Sequence, residues 1–175
     1  FRYLKGTLDM RLVYGPSASK ELFLTYSDSD YAGDTDTLRS TGAYIVKIGS
    51  GAVDWSSKLQ TVVAQSTTEA EYLAAVNAGR NIAWMRNLLS ELGYDLSSSP
   101  STLFMDNNSA IAVAKNPEHF GRLKHIQLRL YWLRDVIQDG LIAPVYVPTA
   151  HMLADLLTKP LAPVRVEQLR RLLGL

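Results

Sequence analysis

The sequence predicts a single α/β domain built on a mixed sheet. Three observations lead there: a short strand that is apolar on both faces, a hairpin signal soon after it, and helices that then alternate with further strands in the order βββαβααβα. The strand is Leu22-Phe23-Leu24-Thr25-Tyr26-Ser27-Asp28. Apolar residues on both faces place it inside a sheet rather than at its edge. Leu22, Leu24, Tyr26 and Asp28 share one face by the two-residue period. A carboxylate therefore ends an apolar file. Burial there would be costly, but at the strand's end it can meet water, a metal or a substrate.

The other elements follow in order. Residues 1–5 read as the end of a helix closed by Gly6, residues 11–14 as a strand, and Gly15-Pro16-Ser17 as a turn. After the central strand and a loop at 33–36, strands are expected at 43–48 and 52–55, joined by Gly49-Ser50-Gly51. Tight connections make these three strands an antiparallel meander. A long helix should run over 67–92, with Ser66 as its N-cap and Gly93 as its stop. A serine-rich linker leads to a strand at 102–105 and a short helix at 109–115, broken by Asn116-Pro117. A helix over 123–138 ends at Gly140. The strand at 141–147 contains Pro144, which cannot donate to a ladder and so belongs near an edge. Helices at 151–158, ended by Pro160, and at 164–173 complete the chain.

Bulk properties narrow the field. A chain of 175 residues can bury a real core as one domain. The formal charge of +1 gives no strong overall attraction to a polyanion, so nucleic-acid binding would need a local patch. The absence of cysteine excludes disulfides and thiolate metal sites and fits a reducing compartment. No apolar run is long enough to span a bilayer, and no signal-like N-terminus is visible. A start at Phe1 without methionine suggests an excised or processed piece.

Several carboxylates are candidates for a site. On the long helix, Glu69 falls with Arg80, Asn87 and Glu91 on a polar stripe expected to face water. Glu71 lies about 200° away, among Ala75, Ala78, Ile82, Met85 and Leu89, and opens the buried stripe. Ser66 and Glu69 fit a capping box, and Thr68 with Glu71 could form a second. Asp106 ends the strand Phe104-Met105 and is a metal candidate or the N-cap of the next helix. Asp155 sits among Leu153, Ala154, Leu156 and Leu157, where an acid is paired or functional. Lys159, four residues on, is its obvious ion-pair partner. Asp28 and Asp30 share strand parity, so alternation alone does not choose between them. Crowded carboxylates repel and raise a pKa unless a cation intervenes. Magnesium prefers such oxygen ligands, and two ions flanking a phosphodiester would activate a water and steady the leaving oxygen.

Thr68-Glu69-Ala70-Glu71-Tyr72, Trp55-Ser56-Ser57-Lys58, Asp106-Asn107-Asn108-Ser109-Ala110, Lys124-His125-Ile126 and Ala154-Asp155-Leu156-Leu157-Thr158-Lys159-Pro160-Leu161 occur here in a characteristic order. With them, nearly the whole chain resembles the ribonuclease H domain at the C-terminal end of copia-type LTR retrotransposon polyproteins. The stretch 1–18, beginning Phe1-Arg2-Tyr3-Leu4-Lys5-Gly6-Thr7, looks like the tail of the preceding reverse-transcriptase connection, with the ribonuclease H domain at 19–175. The resemblance implies a ribonuclease-H-like fold: a five-stranded mixed sheet in order 3-2-1-4-5 with helices on both faces. Carried over residue by residue, the family's acids fall on Asp28, Glu71, Asp106 and Asp155, holding two magnesium or manganese ions. The Tyr26-Ser27-Asp28 motif favours Asp28 over Asp30.

The implied reaction is hydrolysis of the RNA strand of an RNA–DNA hybrid, leaving a 5′-phosphate and a 3′-hydroxyl. Ser66, Thr67, Asn107 and Asn108 stand where relatives contact the hybrid backbone. Arg122, His125 and Arg129 share a helix face that could meet phosphates or simply be solvated. His151 is a candidate for proton transfer or product release. The implied setting is a cytoplasmic virus-like particle, later the nucleus, with the reverse-transcriptase domain as partner and no secretion. The chain departs from the family at Gln127, where Asp is usual, at Tyr131, where His is usual, and in the spacing of the 38–43 loop. Two other readings compete: a non-catalytic module on the same fold that holds hybrid or supports the polymerase, and an integrase-like transferase, which would carry its glutamate late in the chain.

Overall fold

The computed structural model describes residues 1, 5–16, 19–116 and 127–175, with residues 127–130 described by backbone alone. Its elements are β1 (Phe23–Ser29), β2 (Thr41–Ile48), β3 (Gly51–Leu59), α1 (Thr67–Glu91), β4 (Ser101–Met105), α2 (Asn108–Lys115), α3 (Gln127–Gln138), β5 (Ile142–Tyr146), a 3₁₀ turn (Thr149–His151), α4 (Asp155–Thr158) and α5 (Pro163–Leu172). The five strands form one sheet in the order β3-β2-β1-β4-β5. β1, β2 and β3 pair antiparallel, while β1–β4 and β4–β5 pair parallel. β1 is thus the middle strand, as its two apolar faces require, and β5 with Pro144 lies at an edge.

The sheet separates two apolar layers. On one side Phe23, Val46, Leu103 and Met105 pack against Tyr72, Val76, Ile82 and Met85 of α1, with Ile111 of α2 and Leu133 of α3. On the other, Ile45 and Ala52 meet Leu153, Leu169 and Leu173 from the C-terminal segment, with Tyr26 at the margin. Gly79 lets α3 approach α1 closely: a Cβ there would stand 2.8 Å from Leu133 Cδ1. Gly49, at φ +62°, makes the β2–β3 turn that other residues would strain to make.

Three expectations change. β3 runs to Leu59 rather than stopping at Trp55, because its pairing with β2 continues to Thr41↔Leu59. Ser56-Ser57-Lys58 is polar because this is an edge strand, so composition hides it. Residues 11–14 form no strand. They lie against the other end of the chain, with the Val13 amide donating to Gly174 at 2.8 Å and the Ser50 hydroxyl to the Val13 carbonyl at 2.9 Å. The helix expected at 151–158 divides into the 3₁₀ turn and α4. Between them Met152, Leu153 and Ala154 plunge into the interior with at most 2% exposure, and their burial breaks the helical path.

Candidate active site

The register of two neighbouring strands brings the first pair of acids together. Tyr26 of β1 pairs with Phe104 of β4 in the parallel ladder, and their rings stack with centroids 4.8 Å apart. Two residues further along each chain, on the same face, come Asp28 and Asp106. Asp155 opens α4, which packs against that face. One carboxylate oxygen from each of Asp28, Asp106 and Asp155 lies within 4.8 Å of the others. Asp28 and Asp155 are buried, at 0% and 3% exposure, while Asp106 is half-buried.

Glu71 reaches the cluster from the start of α1. It stands outside that 4.8 Å set. Its carboxyl nevertheless hydrogen-bonds to that of Asp28, and its Oε2 is buried with no partner. Burial first, then the charges of Asp28 and Asp106, push the Glu71 carboxyl up to about 9. At neutral pH it is a protonated acid that donates to Asp28. Burial also raises Asp155; its bond with Lys159 works the other way, and the Asp28 charge adds to the rise.

A lysine completes the cluster. Lys159 Nζ lies 2.8 Å from Asp155 Oδ1, the expected pair, but also 3.0 Å from Asp28 Oδ1. Burial works against its ammonium, yet the bond to Asp155 and the charge of Asp28 outweigh it and hold its pKa above the usual lysine value. The Thr158 hydroxyl donates to Asp28 Oδ2. The Thr149 hydroxyl donates to Asp106 Oδ2 at 2.9 Å. Arg165 fastens the 3₁₀ turn through the Thr149 and Ala150 carbonyls, at 2.7 and 2.6 Å, and stands 3.9 Å from Asp155 Oδ2. The Asp28–Lys159 contact escaped the sequence reading because 131 residues separate the two; Lys159 was visible only as the i+4 neighbour of Asp155.

Ser66 is exposed and caps α1, accepting from the Glu69 amide at 3.2 Å. Thr67, also exposed, begins the helix. Glu69 does not face water: it is buried at 6% exposure and accepts from the Gln65 amide at 2.7 Å, not from Ser66. The 60–65 segment folds back over the helix start, with Gln60 donating to the Ala70 carbonyl at 2.9 Å, and covers Glu69, while Arg80, Asn87 and Glu91 of the same stripe are exposed as expected. Asn107 caps α2, accepting from the Ala110 amide at 3.0 Å, and this leaves the Asp106 carboxylate free for the cluster. Asn108 is exposed beside it. His151 is exposed at the end of the 3₁₀ turn, not one helical turn before Asp155 on a shared helix. Arg122 and His125 lie outside the described residues, and Arg129 is described by backbone alone.

An all-oxygen donor set of converging carboxylates suits a hard divalent cation such as magnesium or manganese. Glu71, hydrogen-bonded to Asp28 and with a buried Oε2 that has no partner, offers a further oxygen donor beside them. The residues therefore fit such an ion.

Fold and acid cluster together define a ribonuclease-H-like domain. Solved structures agree on the fold. The N-terminal ribonuclease H domain of a Mycobacterium tuberculosis protein, solved fused to maltose-binding protein, superposes with TM-score 0.53 at 14% identity over 85% of this chain and 96% of that one. LC11 ribonuclease H1, solved with an RNA/DNA hybrid, gives 0.54 at 14% identity over 78% of this chain and 93% of that one. No protein-family model matches the chain.

Sequence relatives narrow the family. The Pol polyprotein of transposon RE2 from Arabidopsis thaliana is 41% identical over 99% of this chain, and that of TNT 1-94 from Nicotiana tabacum 37% over 99%. The chain spans only 12% and 13% of those polyproteins. It belongs with the ribonuclease-H-like segments of copia-type retrotransposon Pol polyproteins. Among the described residues, no helix is long and apolar enough to cross a membrane.

Proposed function

We propose that this domain is a metal-dependent endoribonuclease that hydrolyses the RNA strand of RNA–DNA hybrids during retrotransposon reverse transcription. The observation that carries this is the meeting of Asp28, Asp106 and Asp155 within 4.8 Å, from three elements far apart in sequence. Asp28, Asp106, Asp155 and Glu71 would hold two magnesium or manganese ions. Such ions, when bound, supply an activated water and charge stabilisation for the leaving oxygen.

The chain's own residues do the rest. Asp28 and Asp106 are fixed side by side by the β1–β4 register, and Asp155 is brought to them by α4. Glu71, whose neutral form is held by burial and by its acidic neighbours, would have to lose that proton to serve as a ligand. The starts of α1 and α2 present Ser66 and Thr67, and Asn107 and Asn108, with helix N-termini that suit phosphates. Arg122 and Arg129 are assigned to the hybrid backbone from the helix face that helical period gives them. Recognition of the RNA strand falls to contacts with its 2′-hydroxyls, which DNA lacks. His151, exposed on the turn that supplies the Thr149 contact to Asp106, is assigned to proton transfer or product release. The reading also assigns residues 1–18 to the tail of the reverse-transcriptase connection, the polymerase domain as partner and a cytoplasmic particle as the setting.

A labelled hybrid incubated with magnesium tests this: cutting of the RNA strand alone, with 5′-phosphate and 3′-hydroxyl ends, is expected. Asp106→Asn should slow it by more than about a hundredfold, since even outer partners of metal ligands are worth 10–100-fold, while leaving the melting transition intact. A variant that cuts like wild type refutes the assignment.

A further inference from the structure

The acid cluster carries a cation of its own. Lys159 Nζ bridges Asp28 Oδ1 and Asp155 Oδ1 at 3.0 and 2.8 Å, so one ammonium takes an oxygen from two of the three converging carboxylates. The oxygens it leaves are engaged as well. Asp28 Oδ2 accepts from the Thr158 hydroxyl, and Asp155 Oδ2 faces Arg165 at 3.9 Å. Thr158 ends α4 and Lys159 is its C-cap, so hydroxyl and ammonium are delivered by one short element. The Lys159 side chain is nonetheless 35% exposed. Its four-carbon stem therefore has a solvent side to which the ammonium can withdraw without unpacking the core.

A magnesium ion sits about 2.0–2.1 Å from its oxygens. If it used Asp28 Oδ1 and Asp155 Oδ1, the ammonium on those same atoms would stand a few ångströms away, and the two positive charges would repel. Conversely, three carboxylates this close repel one another when no cation lies between them. A lysine here solves the second problem and creates the first.

We propose that Lys159 is a tethered cation that holds the acid cluster together before metal loading and leaves it when a divalent ion binds. Loading is then an exchange of ammonium for metal, and Lys159 sets the concentration of metal at which the site fills. This rests on the reading of the acids as metal ligands.

The test compares the purified domain with Lys159→Met, which keeps the stem and removes the charge, and Lys159→Arg, which keeps a cation able to bridge two carboxylates. Manganese binding is followed by the loss of the free-ion electron paramagnetic resonance signal, and melting is followed in EDTA. The Met variant should bind its first manganese about tenfold more tightly, because two charge-assisted contacts, both weakened by the part-exposed ammonium, are no longer displaced. In EDTA it should melt below wild type, and the Arg variant should bind no more tightly than wild type. A Met variant that binds manganese no better than wild type, or melts no lower in EDTA, overturns the exchange, even if wild type cuts hybrid. If neither protein binds manganese and hybrid stays uncut, the metal-site reading itself fails and takes the exchange with it.

Discussion

The proton on Glu71 makes the stability of the metal-free domain fall as pH rises. The carboxyl sits near 9 when folded, against an ordinary value of 4.5. Between those values the folded state holds a proton that the unfolded state has released. Stability from this group is therefore present at low pH and drains away towards the folded pKa. The slope for one proton is about 1.4 kcal/mol per pH unit. From about pH 6 to about pH 8 the loss is on the order of 3 kcal/mol, and for a domain of this size each kcal/mol moves Tm by about 2–4 °C, or on the order of 10 °C in all. Glu71→Gln mimics the protonated acid and cannot titrate. Melting both proteins in EDTA across this range isolates the effect, because the three histidines and every other group are common to both. The Gln variant should match wild type at the acid end and gain on it steadily as pH rises. A constant difference across the range would mean that Glu71 is already ionised in the folded protein, contrary to the burial and crowding described above.

Further expectations follow from the same structure. Magnesium or manganese binding near neutral pH should release about one proton, seen calorimetrically as an apparent enthalpy that varies with the ionisation enthalpy of the buffer, and affinity should climb with pH up to the Glu71 pKa; binding heats independent of buffer would contradict this. Ser66→Ala removes the α1 cap and should cost about 1 kcal/mol in a denaturant melt. Gly79→Ala puts a methyl 2.8 Å from Leu133 Cδ1 and should cost about 1–3 kcal/mol by the same measurement.

Much of the fold can be read from local pattern, because the pattern is local in origin. The two apolar faces of β1, the Gly49 turn, the Ser66 cap and the proline in β5 each act on their own neighbourhood, and each reports its place in the sheet. The convergence of Asp28, Asp106 and Asp155 is legible too, through an acid in apolar company and the quoted motifs, since strand parity alone leaves Asp28 and Asp30 equal. What stayed hidden depends on distant segments. Glu69 lies on a stripe that periodicity assigns to water, yet the 60–65 segment covers it. The run Met152-Leu153-Ala154 suits a helix as well as the buried bend it forms. The competing roles of Asp106 were separable only once Asn107 was seen to cap α2.

Asp155 and Lys159 ride on the same four-residue helix and its cap. That short segment brings one negative and one positive charge to the cluster and so arrives electrically neutral. Were it to lift off, the acids left behind would lose a repelling neighbour and a counter-ion in one movement. The segment's own charges cancel, but undocking would still strip Asp28 of its Lys159 and Thr158 contacts, so those bonds and the apolar packing of Met152 and Leu153 just ahead of it seat it together.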